Sequence, residues 1–174
     1  MRVEAPIKVD RKTKKLAKRL SAGEIAVINH IDIDEVAANS LVERKIKLVI
    51  NAAPSISGRY PNKGPKILID NNILIIDNVG ENVFEELKEG QVIEVNNGQI
   101  YRDGQFIGSG EVMDKSVVEK RTQIAYENMS VELDRFIDNT IEYAKREKGF
   151  ILGETEIPKM TTNYKDRHVL VVVR

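Results

Sequence analysis

The chain has 174 residues, 41% of them hydrophobic, which is enough for one domain core and an appendage. Basic and acidic side chains balance at 27 each and cysteine is absent, so a uniformly basic nucleic-acid binder, a disulfide framework, a thiolate metal site and a cysteine nucleophile are excluded. The longest apolar runs fall far short of the roughly 20 residues of a membrane helix, and the opening MRVEAPIKVD lacks the apolar core of a secretory signal, which predicts a cytoplasmic chain.

Overall balance conceals a local excess. Arg11, Lys12, Lys14, Lys15, Lys18 and Arg19 fall within residues 11–19 with no acid among them, so residues 1–20 read as a basic N-terminal segment. The run has no aromatic residue on which bases could stack, and nucleic acid is not the expected partner. The simpler reading of such a run is a solvated face, and the alternative is contact with an acidic partner or an anionic membrane surface.

A strand, helix, strand pattern follows. IAVIN at 25–29 is β-branched, Asp32 and Asp34 offer N-cap carboxylates, and the helix at 34–45 is expected to bury Val36, Ala37, Ser40 and Leu41 on one face before the strand KLVIN at 47–51. Such unbroken apolar runs suit parallel strands covered on both faces. The segment 52–65, with three prolines and two glycines, must be a long loop, and long loops inside a domain are usually functional. A short helix at 65–72, a strand at 73–77 and a helix at 82–90 closed by Gly90 repeat the alternation. QVIEV, QIY and QFIGSGEV then read as a meander turning at Asn96-Asn97-Gly98 and Asp103-Gly104, which closes a β/β/α domain over 21–112.

From Asp114 to Lys148 there is neither proline nor glycine, and apolar residues recur at Val118, Ala125, Met129, Leu133, Phe136 and Tyr143. That spacing predicts one long helix, or two with a kink, over 113–150. A second stripe of Val117, Ile124, Val131, Ile137 and Ile141 makes the apolar face wider than one small domain covers. Met129, Leu133 and Phe136 are therefore expected to dock a partner helix from a second copy, the alternative being that the helix folds back over its own sheet. Residues 151–174 read as a linker and, at RHVLVVVR, the first buried strand of a further domain.

The loop supplies the candidate binding residues. Asn51, Ser55, Ser57, Gly58, Arg59, Asn62 and Lys63 form a dense donor set that could cradle an anion, with Arg59 gripping two oxygens of a phosphate or carboxylate. The loop matches neither the Walker pattern nor a nucleophile elbow. Asp32, Asp34 and Asp77 could hold a divalent cation, but capping explains the first two more simply, and His30 and His168 lie far apart in sequence with no His-Glu or His-Cys cluster near either. Catalytic residues, a metal and a cofactor are not expected.

The strings VDRKTKKL (9–16), GEIAVINHIDIDEVAANSLVE (23–43), NAAPSISGRYPNKGP (51–65), IIDNVG (75–80), NTIEYAKRE (139–147) and RHVLVVVR (167–174) together resemble the N-terminal region of the SteA-type bacterial cytokinetic-ring family. The resemblance implies a role in cell division and daughter-cell separation, recruitment to the division site, a SteB-like membrane-anchored partner, and a thiamin-pyrophosphokinase-like domain following the last strand. The place of the basic run within VDRKTKKL favours Arg11 and Lys14 as docking residues, and the lack of a complete catalytic constellation beside an over-wide apolar helix points to a non-catalytic assembly module. The alternative is the substrate- or nucleotide-binding half of a phosphotransferase completed by that further domain. The architecture also resembles the swivelling phosphohistidine domain of phosphoenolpyruvate-utilising enzymes, although PSISGRYPN lacks the histidine of a phosphoryl carrier. The expected fold class is thus α/β, a swivelling β/β/α-like domain followed by a long helix and ending in the first strand of a truncated second domain.

Overall fold

Three apolar strings and one charged N-terminal string become a parallel sheet. A computed structural model describes residues 2–154 together with 165, 166 and 168; the predicted strand at 167–174 falls, apart from His168, outside the described residues. In chain order the elements are β1 (Arg2–Val9), α1 (Thr13–Ala17), β2 (Ile25–Ile28), α2 (Glu35–Val42), β3 (Leu48–Asn51), α3 (Gly64–Asp70), β4 (Leu74–Asp77), α4 (Glu81–Glu86), β5 (Val92–Asn96), β6 (Gln99–Arg102), β7 (Gln105–Ser109), β8 (Glu111–Met113) and α5 (Lys115–Ile151). The sheet order is β7-β6-β5-β1-β2-β3-β4-β8. Strands β1 to β4 run parallel, while β5 and β8 attach antiparallel to β1 and β4.

Alternation along the parallel strands divides the core in two. Ala26, Ile28, Val49 and Ile75 face Leu16, Ala38, Leu41 and Leu68 of α1, α2 and α3. Ile25, Val27, Leu48, Ile50 and Ile76 face Val83 and Phe84 of α4 and Ile93, Val95 and Ile100 of β5 and β6. The result is the expected α/β class, an eight-stranded mixed sheet with a long helix after it. Both hairpins turn where expected: Asn97 and Gly98 (φ 47° and 85°) and Asp103 and Gly104 (φ 51° and 76°) each supply the two successive positive φ angles of a type I′ turn.

Four sequence expectations change. Residues 2–9 are not part of a detached basic segment but a central strand, because Ile7 and Ala5 are buried and β1 supplies the hydrogen-bonding edge that both β2 and β5 need. On α2 the buried face is Ala37, Ala38 and Leu41, and Val36 is 75% exposed. Helix α4 stops at Glu86, where Leu87 turns extended (ψ 127°) and buries its side chain, so Gly90 serves the turn into β5 instead. The string QFIGSGEV splits into β7 and β8 on opposite edges of the sheet, with Gly110 between them, where a Cβ would collide with the Asp77 carbonyl and the Val79 side chain.

Two compact units are distinguished, residues 1–133 and residues 134–174. Helix α5 is one unbroken helix of 37 residues that begins in the first unit, where Val118 and Ala125 are fully or almost fully buried. Among the described residues no helix is long and apolar enough to cross a membrane.

Candidate functional site

The carboxyl ends of parallel strands are where open α/β sheets usually present ligand sites, since the loops there diverge from a fixed edge. In this chain that edge carries the segments 10–13, 29–34, 51–65 and 77–80.

The 51–65 loop is built around two carboxylates. Asp77, fully buried at the end of β4, accepts through Oδ1 from the Ser55 backbone N–H (2.8 Å) and Ser55 Oγ (2.6 Å), and through Oδ2 from Arg121 of α5 (3.0 Å). Burial pushes the Asp77 carboxyl above its ordinary value, against the opposing pull of Ser55 and Arg121. Asn51, also buried, accepts from the His30 N–H (2.9 Å) and donates to the His30 carbonyl (2.8 Å) and to Ser55 Oγ (2.9 Å). Asp32 (φ 55°) accepts from Ser57 N (2.6 Å) and Ser57 Oγ (2.8 Å), while Asn62 donates to the Ser55 carbonyl (3.0 Å). Asp32 is thus a loop anchor and not a helix cap. Asp34 does cap α2, accepting from Ala37 N at 2.7 Å, a contact typically worth about 1 kcal/mol.

This arrangement explains where the predicted anion cradle goes. Asn51, Ser55 and Ser57 direct their hydrogen bonds to one another's segments and to Asp32 and Asp77, so the donors that an anion shell requires are already engaged. Lys63 pairs with Glu35 on the surface (3.2 Å). Arg59 is exposed beside Gly58 at the loop tip, along a cleft of about 330 Å³ that also includes Asn128, Val131 and Glu132. Asn128 holds the tip by donating to the Gly58 carbonyl (2.9 Å). Among the described residues no cluster of three or more histidine, aspartate or glutamate side chains suits a metal ion.

A larger cavity, of about 500 Å³, lies at the neighbouring ends of β1 and β2. Its wall includes Lys12, Thr13 and Lys14 from the basic run and His30, Ile31 and Val36 from the segment leading into α2. Thr13 is buried, and its Oγ1 lies 2.9 Å from His30 Nδ1 in a hydrogen bond that orients the ring. From the sequence, small-ligand binding is expected on the proline-rich loop, and Arg11 and Lys14, which line this cavity, are expected to dock a partner or a membrane surface; the cavity itself is not foreseen. The available signal was the adjacency of Lys12, Thr13 and Lys14 to the end of an apolar strand.

The basic run divides by residue type. Arg11 pairs with Glu81 and Glu85 and lies 4.9 Å over the Phe84 ring, and Arg19 pairs with Glu89 and Asp10. Arg11 therefore fastens the segment between β1 and α1 to α4. Lys12, Lys14, Lys15 and Lys18 are exposed.

On α5 the apolar positions change character along the helix. Val118 and Ala125 are buried, whereas Tyr126 (50%), Met129 (39%), Leu133 (54%), Phe136 (66%), Tyr143 (60%) and Phe150 (65%) are exposed. Those six fall on the series 126, 129, 133, 136, 140, 143, 147, 150, which alternates steps of three and four as a coiled-coil seam does. Thr140 and Glu147 occupy the other two positions.

No family model matches the chain, and no curated protein matches it. A solved structure described as 3-isopropylmalate dehydratase (leuD) from Methanocaldococcus jannaschii is similar to it with a TM-score of 0.40 and 12% sequence identity, covering 78% of this chain and 99% of that one.

Proposed function

We propose that the chain is a non-catalytic assembly module in which α5 pairs with α5 of a second copy, running antiparallel. The observation that carries this reading is the exposed three-four seam from Tyr126 to Phe150. An isolated helix with this much apolar surface in water gains stability by burying it, and identical seams are complementary to each other. Charge supports the antiparallel sense. Residues 127–138 carry Glu127, Glu132, Asp134 and Asp138 against one base, Arg135, whereas 142–148 carry Lys145, Arg146 and Lys148 against Glu142 and Glu147. Antiparallel pairing lays the acidic stretch along the basic one. The setting is that of a SteA-like protein of bacterial cell division and daughter-cell separation, in the cytoplasm and recruited to the division site by a SteB-like membrane-anchored partner; the family-like strings support it.

The chain lacks cysteine, which makes the test direct. Light scattering across a concentration series is expected to find a dimer that Leu133→Glu with Phe136→Glu weakens at least tenfold. A strict monomer at high concentration overturns the pairing. Mixed Tyr126→Cys and Phe150→Cys chains are expected to cross-link to each other; cross-linking of each variant only to itself overturns the antiparallel sense. The division setting is checked by capture of the cognate SteB-like protein on the full chain, and failure to capture it removes that part of the reading.

A further inference from the structure

We infer that the cavity at the carboxyl ends of β1 and β2 binds a small organic phosphomonoester, with its planar or apolar body against Ile31 and Val36 and its phosphate toward Lys12 and Lys14. Four observations lead there, none of which depends on α5 or on pairing.

The first is size and place. At about 500 Å³ the cavity falls within the roughly 300–1,000 Å³ of small-molecule sites, and it lies at a parallel-strand edge. The second is an uncovered apolar wall. Ile31 and Val36 are 56% and 75% exposed, while their neighbours Ile33, Ala37 and Ala38 are buried, so these two side chains contribute little to the core.

The third is charge left over. Four acids beside the basic run are taken by its arginines, Glu81 and Glu85 by Arg11, and Asp10 and Glu89 by Arg19. Among the described residues, Lys12 and Lys14, both lining the cavity, form no ion pair, and the one acid in the wall, Asp34, accepts from the Ala37 N–H as the cap of α2, so the lip carries two ammonium groups without a salt-bridge partner. Lysine binds phosphate as a point charge on a flexible stem, which suits such a position.

The fourth is a pre-set polar group. Buried Thr13 holds His30 Nδ1 at 2.9 Å, which fixes the ring and leaves Nε2, without a partner among the described residues, as a third site for an oxygen. Two ammonium groups and an imidazole nitrogen match the three terminal oxygens of a phosphomonoester better than the two of a carboxylate.

Calorimetric titration of the full chain with phenyl phosphate, benzoate and inorganic phosphate tests this. Phenyl phosphate is expected to bind saturably and at least tenfold tighter than either of the other two. Lys12→Ala with Lys14→Ala is expected to reduce that affinity at least tenfold and Val36→Ser several-fold, with thermal melts confirming that both variants fold. Lys15→Ala with Lys18→Ala, in the same run but outside the cavity wall, should change it less than twofold. Absence of saturable phenyl phosphate binding overturns the site. Equal affinity for inorganic phosphate or benzoate overturns the ligand class, and equal losses from the two lysine pairs reduce the effect to diffuse attraction and overturn the site as well.

Discussion

The 51–65 loop and helix α5 hold the two densest sets of residues that suggest binding, and they end in opposite states. In the loop, polar side chains close on themselves: Ser55 and Arg121 meet on Asp77, Ser57 meets Asp32, and Asn51 bridges to the His30 backbone. On α5 beyond Ala125, apolar side chains stay uncovered. A residue's type says which interactions it can make, but function rests on those left unmade after folding. By that measure α5 and the cavity of Lys12, Lys14 and Val36 are the open surfaces, and the loop is mainly a brace.

The brace can be broken at Asp77. Asp77→Ala removes the acceptor of a buried N–H, a buried hydroxyl and a guanidinium, and an unsatisfied buried donor costs about 1–3 kcal/mol. Destabilisation of about 3 kcal/mol is expected in urea denaturation, the largest effect here. A loss below about 1 kcal/mol would mean that the loop is not a brace. Asp77→Asn refines the point through pH. Because burial raises the folded-state value of Asp77, the stability linked to its protonation is present at low pH and is lost as pH rises from the ordinary aspartate range through the raised value. Wild type should therefore gain on Asp77→Asn as pH falls through that window. A difference that is flat with pH contradicts it.

A smaller effect is expected at the loop's other anchor. Ser57→Ala removes the Oγ bond to Asp32 but keeps the backbone one, and about 1 kcal/mol should be lost. On α5 the comparison reverses. Phe136→Glu is 66% exposed in wild type, so it should leave the denaturation midpoint of the isolated fold within about 0.5 kcal/mol while self-association falls at least tenfold. If the midpoint drops with it at all protein concentrations, the side chain is serving the fold and not the pairing.

The layers were legible because they follow from period and punctuation. Unbroken strings such as IAVI and LVIN fixed parallel strands, and Asn97-Gly98 and Asp103-Gly104 marked the hairpins. What the string concealed were pairings distant in sequence. RVEAPIKV carries charges and a proline, so it does not read as a central strand, yet β5, some ninety residues later, pairs with it from Arg2 to Pro6. Ser55 and Asp77 read as a donor and a possible metal ligand, and only their 2.6 Å contact reveals that each satisfies the other. The cavity was hidden for the same reason, since Lys12 and Val36 come together only once α1 and α2 lie side by side on the sheet.

Arg59 is the finest test of the comparison, because it alone among the predicted cradle residues is exposed with no side-chain hydrogen bond or ion pair among the described residues. Its backbone N–H reaches Ser57 Oγ at 3.3 Å, a contact that alanine retains. If the loop is a brace with a free tip, Arg59→Ala should shift stability by less than about 0.5 kcal/mol and leave phenyl phosphate affinity within twofold, since the cavity wall does not include it. A large stability loss would show that the guanidinium packs into the fold. An affinity loss as large as that of Lys12→Ala with Lys14→Ala would move the ligand from the β1 and β2 edge to the loop tip, and the loop would then be the open surface after all.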